Sequence, residues 1–226
     1  MAAKPAPPRP APRLYLATPV LADPAPLLAV LPRLLAAADI AAVLLRLAPS
    51  DPRTLITRTK AVAGVVQAGG AALLLESHAD LVARGGADGA HLTGLGEMKE
   101  WLPQLQPSRI AGVGGLPTRH DSMMAGEAGA DYVLFGEPAD DGTRPSSDAI
   151  AERLNWWAEL FEPPCVVYAL SRDEVEEFAA AGADFVLVGD LVWAEPGAEA
   201  AVLADAEAAL KRGYAAAAEA APASRG

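Results

Sequence analysis

The chain has 226 residues, 52% of them hydrophobic and 21% charged, which suits one large α/β core. A formal net charge of −11 excludes a nucleic-acid backbone as partner, since phosphates need basic surface. The same acidity confines phosphorylated ligands to places where local Arg or Lys residues override the global field.

Cys165 is the only cysteine, so an intrachain disulfide is excluded and a reducing, cytoplasmic compartment is the natural reading. It opens the apolar run Cys165-Val166-Val167-Tyr168 and reads as a buried structural thiol. The start, MAAKPAPPRPAPR, lacks the apolar core of a signal peptide, and residues 1–12 read as a disordered, Pro-rich tail. No stretch reaches the roughly 18 apolar residues of a membrane span, so no membrane partner is expected. Residues 215–226 read as a flexible C-terminal tail, leaving one domain over 13–214.

In chain order, Leu14–Ala17 is a first strand ending at Thr18-Pro19. A helix over 25–38 carries Leu27, Leu28, Leu31, Leu34 and Leu35 on one face, with Pro32 predicting a kink or break. Residues 40–47 form a second strand closed by Arg46, and Asp51 N-caps a helix over 52–68 that stops at Gly69-Gly70. Strand three spans 71–75 and exits through Glu76-Ser77-His78; strand four spans 89–92 and exits at Thr93-Gly94. A helix over 97–105, strand five over 109–113 and a helix over 119–128 follow, then strand six, Tyr132–Phe135, and the long exit loop 137–147. In the helix over 148–161, Ile150, Leu154, Trp157 and Phe161 share a face, so Trp157 points inward; Trp156 offers a homodimer contact or an exposed patch. Strand seven spans 165–170, Ser171 and Glu174 form a capping-box pattern, strand eight spans 185–188, and a helix over 198–218 closes the chain.

One phrase recurs: Gly86-Ala87-Asp88, Gly129-Ala130-Asp131 and Gly182-Ala183-Asp184 each precede a short apolar run. A glycine stops the helix in the left-handed conformation and a strand buried on both faces follows. Eight strands alternating with eight helices predict a single (β/α)8 barrel. A doubly wound open sheet would need a glycine-rich first turn, which is absent after Leu16.

The segments LYLAT, GADGAHLT, GADYVLFG and GADFVLVGD together resemble the thiamine phosphate synthase and thiazole tautomerase superfamily over essentially the whole barrel. The resemblance implies thiamine biosynthesis: a pyrimidine diphosphate is joined to a thiazole phosphate with magnesium as cofactor, and diphosphate leaves. Charge-handling positions depart from the family pattern. Its QLREK corresponds to Leu44-Leu45-Arg46-Leu47-Ala48, its NDR to Glu76-Ser77-His78, its metal-ligand aspartate to Gly96 and its serine after strand five to Gly114. The TxTK exit corresponds to Asp141-Gly142-Thr143-Arg144, which keeps a threonine and a cation. The phosphate-binding amides and serine become Tyr168-Ala169 and Asp190. A carboxylate beside a phosphate costs on the order of 4 kcal/mol at an effective dielectric near 20, roughly a thousandfold in affinity.

Function in such a barrel sits at the C-terminal strand ends. Arg46, Glu76 and His91 are the candidate catalytic residues; Thr18, Thr143, Arg144, Tyr168 and Asp190 are the candidate contacts to a small-molecule ligand. Arg46 either clamps an anion or pairs with Glu76. Glu76, Glu137 and Asp190 either bind a cation or stand as rim charges; no metal-site spacing accompanies them, and magnesium rests on the resemblance alone. His91 is either a satisfied structural histidine or a base, and His120 falls on a helix surface. Three readings follow: a divergent synthase-like protein, a non-catalytic barrel with Tyr168 and Trp193 plugging its mouth, and a small-molecule isomerase.

Overall fold

The computed structural model describes residues 9–139 and 141–220. Eight parallel strands pair in chain order: β1 (Arg13–Ala17), β2 (Ile40–Leu45), β3 (Ala72–Glu76), β4 (Gly89–Thr93), β5 (Ile110–Gly114), β6 (Tyr132–Phe135), β7 (Cys165–Ala169) and β8 (Phe185–Val188). Strand β8 pairs in parallel with β1, from Arg13 opposite Phe185 to Leu16 opposite Val188, and closes the (β/α)8 barrel. Around it run α1 (Ala25–Ala37), α2 (Pro52–Ala68), α3 (Val82–Gly85), α4 (Gly94–Leu105), α5 (Arg119–Glu127), α6 (Ser147–Leu160), α7 (Arg172–Ala180), α8 (Asp190–Trp193) and α9 (Glu199–Ala220).

The recurring Gly-Ala-Asp phrase has a direct structural cause. Gly86, Gly129 and Gly182 have φ of 75°, 98° and 95°, the left-handed region that a Cβ disfavours. Each aspartate then accepts a backbone N–H from the strand before it: Asp88 from Leu73 at 2.7 Å, Asp131 from Ala111 at 2.8 Å, and Asp184 from Cys165 at 2.8 Å. These N–H groups lie where the strands begin, at the end of the barrel opposite the strand exits. The repeat therefore serves stability.

Strand alternation divides the apolar residues into two cores. Tyr15, Leu44, Leu74, Tyr132, Leu134, Val166, Tyr168 and Leu187 fill the barrel interior, while the other buried residues pack strands against helices. Gly112 is an inward position whose absent side chain makes room: a Cβ there would lie 1.8 Å from the Tyr132 ring.

Several boundaries differ from expectation. Helix α1 continues across Pro32 without a break, held on its neighbours by Leu27, Leu31 and Leu34. Strand β2 ends at Leu45, and Leu47 forms an isolated bridge with Leu21. The N-terminal tail expected over 1–12 is docked at its inner end: Pro12 is buried, Tyr214 donates its hydroxyl to the Arg9 carbonyl at 2.8 Å, and the Arg9 guanidinium bonds the Gly182 carbonyl. Helix α9 runs to Ala220, into the stretch expected to be a flexible tail. Residues 1–8 and 221–226 lie outside the described residues, as does residue 140. Among the described residues no helix is long and apolar enough to cross a membrane.

Candidate functional site

Period-two alternation carries the inward face of each strand to its exit. Leu74 is followed inward by Glu76, Gly89 by His91, Gly112 by Gly114 and Val166 by Tyr168. Register sets Glu76 beside His91 and His91 beside Gly112. The exits of β1, β2 and β6 add Thr18, Arg46 and Glu137. A cleft of about 920 Å³ opens at this end, lined by Glu76, His91, Glu137, Thr143, Arg144 and Arg153 among others. At its edge Ser77 and His78 hold φ of 57° and 39°, a strained turn for residues with a Cβ.

Arg46 is the ion-pair case. Its Nε donates to Glu76 Oε1 at 3.0 Å, and its guanidinium carbon lies 6.0 Å from the Tyr168 ring centroid. Thr18, only 1% exposed, donates its hydroxyl to the Pro19 carbonyl and accepts the Arg46 backbone N–H at 3.0 Å. It positions Arg46 and offers no surface to a ligand. Tyr168 is 3% exposed; burial and the charge of Asp190 raise its pKa, and a Cβ on Gly189 would lie 3.2 Å from its hydroxyl. Trp193 donates its indole N–H to the Ala17 carbonyl at 2.7 Å. Tyr168 and Trp193 thus cover the β7, β8 and β1 side of the mouth, while the cleft lies over β3 to β6.

Down the barrel axis runs a buried hydrogen-bonded chain. Tyr15 and Tyr132 hydroxyls are 3.2 Å apart, Tyr132 reaches His91 Nδ1 at 3.0 Å, and His91 Nε2 meets Glu137 Oε1 at 3.2 Å. The backbone N–H of Gly115 donates to Glu137 Oε2 at 2.9 Å. Burial lifts both phenols well above the ordinary tyrosine range, so both remain proton donors. At Glu137 burial pushes upward, but the hydrogen bond and charge of His91, the Gly115 N–H and the charge of Arg46 together lower its pKa. Gly114 makes this arrangement fit: a Cβ there would lie 2.2 Å from Glu137 Oε2 and 2.7 Å from His91 Nε2.

Arg144 lines the opposite part of the cleft, donating to Glu174 at 3.2 Å, while its buried Nη1 has no partner among the described residues. Glu174 also accepts the Leu170 N–H at 2.7 Å, so the capping-box pattern is filled only from the Ser171 side. Thr143 spends its hydroxyl on Asp141 at 2.6 Å. Asp190 is exposed at the start of α8, and His120 is exposed on α5. Arg153, unmarked by the sequence, donates to the Leu116 and Pro117 carbonyls at 3.2 Å each.

Magnesium does not fit these donors. Glu76 is committed to Arg46, Gly96 supplies no oxygen side chain, and no three His, Cys, Asp or Glu side chains among the described residues converge as a metal site. The Tyr15–Tyr132–His91 chain was not foreseen. Its signal was present as inward polar positions on β1, β4 and β6, but joining them requires the closed barrel.

Comparison with known proteins gives a consistent result. The sequence profile described as thiamine monophosphate synthase matches residues 14–192. A thiamine-phosphate synthase of Rhodospirillum centenum is 36% identical over 201 residues, covering 85% of this chain and 95% of that protein. One of Hyphomonas neptunium is 36% identical over 210 residues, covering 87% and 93%. Among solved structures, a thiamine phosphate pyrophosphorylase of Pyrococcus furiosus superposes with a TM-score of 0.73 at 19% identity, covering 89% of this chain and 96% of that one; this likeness speaks to fold.

Proposed function

The chain belongs to the thiamine monophosphate synthase family, and from that premise we propose that it is a divergent synthase-like protein of thiamine biosynthesis. On this reading it keeps a small-molecule cleft and has lost the grip on diphosphate. The observation that carries the proposal is Arg46, whose guanidinium is engaged by Glu76 at 3.0 Å and lies against Tyr168. An arginine already neutralised by a neighbouring carboxylate clamps a second anion poorly. Tyr168 and Asp190 stand where the family pattern has phosphate-binding amides and a serine, adding bulk and negative charge. Arg144 lines the cleft as the remaining cation of the family pattern, but it too is paired with a carboxylate, Glu174 at 3.2 Å, and the same weakening applies to it. The family chemistry makes a pyrimidine cation as diphosphate departs, and its barrier falls only if the departing charge is met by cations.

The test is to mix the protein with the pyrimidine diphosphate, the thiazole phosphate and magnesium, and to follow thiamine phosphate. The expected rate is far below about 1 s⁻¹; turnover at or above that rate would overturn the proposal.

A further inference from the structure

A second cavity lies outside the cleft, on the flank of the barrel between α5 and α6. It measures about 220 Å³, and apart from Arg119, Glu152 and Arg153 its lining side chains are apolar, with Phe135, Ala149 and Ile150 among them. The two arginines differ in how they are matched. Arg119 is neutralised by Glu152, Nη2 to Oε1 at 2.7 Å, and its guanidinium carbon lies 5.0 Å from the Trp156 ring centroid. Arg153 meets no carboxylate: its partners among the described residues are the Leu116 and Pro117 carbonyls at 3.2 Å each and the Phe135 ring, 5.4 Å from guanidinium carbon to centroid. Burial and then the like charge of Arg119 lower its pKa, against a weaker opposing pull from Asp121. The Asp121 carboxylate is itself held by the Thr118 hydroxyl and N–H. A half-buried guanidinium thus faces this pocket with its positive charge unmatched, in a chain whose net charge is −11.

The free donors of that guanidinium define its counterpart. Nη1 and Nη2 each turn one N–H to a carbonyl, and those carbonyls belong to adjacent residues, so the end of the fork is occupied. The Nε–H and the second N–H of Nη2 remain, and this side edge is one that grips a carboxylate through two parallel hydrogen bonds. Neither donor is sealed in protein: among the described residues the one buried side-chain nitrogen or oxygen without a partner is Arg144 Nη1. We propose that the pocket between α5 and α6 binds a monocarboxylate with a small apolar body, its carboxylate on Arg153 and its body against Phe135, Ala149 and Ile150. One positive charge is unmatched and Glu152 lines the same pocket, so a monoanion is met favourably where a phosphate dianion meets repulsion.

The site is separate from the barrel mouth, since Arg119, Ala149, Ile150 and Glu152 line this pocket and not the cleft. The proposal therefore goes beyond the synthase-like reading, and its test uses neither coupling substrate nor magnesium. Benzoate is titrated calorimetrically into the full chain in low-salt buffer, with benzyl alcohol as a neutral analogue of similar shape and inorganic phosphate as the alternative oxyanion. Benzoate is expected to bind at least about tenfold more tightly than either, as two charge-assisted hydrogen bonds allow. Arg153→Met removes the charge. Ala149→Phe, at an exposed position of α6 that lines this pocket alone, fills the space for the apolar body. Each is expected to weaken benzoate binding about tenfold or more, with wild-type circular dichroism showing that the variant folds. If Arg153→Met fails to fold, Ala149→Phe and the wild-type comparison still decide. Equal affinity for benzoate and benzyl alcohol, phosphate binding as tightly as benzoate, no binding of benzoate, or undiminished binding in a folded variant would overturn the proposal.

Discussion

At the scale of single residues, the repeated aspartates stabilise the barrel by satisfying buried backbone. Replacing Asp131 by Ala removes the acceptor of the Ala111 N–H and leaves that group inside the barrel wall. The expected cost is about 1–3 kcal/mol, read as a lower urea midpoint with unchanged slope. A variant as stable as wild type would show that the repeat has another origin. Gly112→Ala is the complementary case, since its Cβ would meet the Tyr132 ring at 1.8 Å. Overpacking of this kind costs about 1–3 kcal/mol, measured in the same experiment. Both roles were half legible. The glycine-aspartate phrase and its strand are written in sequence, but the N–H that each aspartate meets belongs to the preceding strand. Glu137 is harder to read: its partners His91 and Gly115 lie on other strand exits, and the space it fills is a side chain that Gly114 lacks.

At the scale of elements, local signals placed most strands and helices because each carries its own period and caps. Asp51 accepts the Thr54 N–H at 3.1 Å, as an N-cap should, and α2 begins and ends where its flanking residues indicate. The local signal failed where packing or brevity decides. Pro32 lies inside α1 because buried leucines on both sides hold the helix to the barrel. Helix α8 is four residues long, too short for any periodic pattern. Helix α9 reaches α7 at Gly213, where a Cβ would lie 2.1 Å from the Glu176 carbonyl oxygen. Gly213→Ala is therefore expected to destabilise by about 1–3 kcal/mol despite the higher helix propensity of alanine. Arg212→Ala, which removes an exposed ion pair with Glu176 at 2.7 Å, is expected to stay within about 1 kcal/mol of wild type. Equal effects from the two variants would show that close helix approach contributes nothing special.

At the scale of the whole molecule, the site's charge pattern connects to stability through pH. The folded pKa of Glu137 lies below its ordinary 4.5, so the folded state holds this proton more weakly than the unfolded chain does. Its contribution is then fully present above about pH 4.5 and is lost as pH falls through the folded value. Denaturation at a series of pH values should show a constant gap between wild type and Glu137→Gln at neutral pH. The gap should shrink in acid, because protonated wild type resembles the amide. The groups facing this carboxyl are His91, the Gly115 N–H and, further off, Arg46, so the same gap should narrow in a Gly114→Ser background where those contacts are displaced. A gap that widens as pH falls would mean that Glu137 is protonated more readily in the folded barrel, and the carboxylate at the cleft floor would then lack the fixed charge assigned to it.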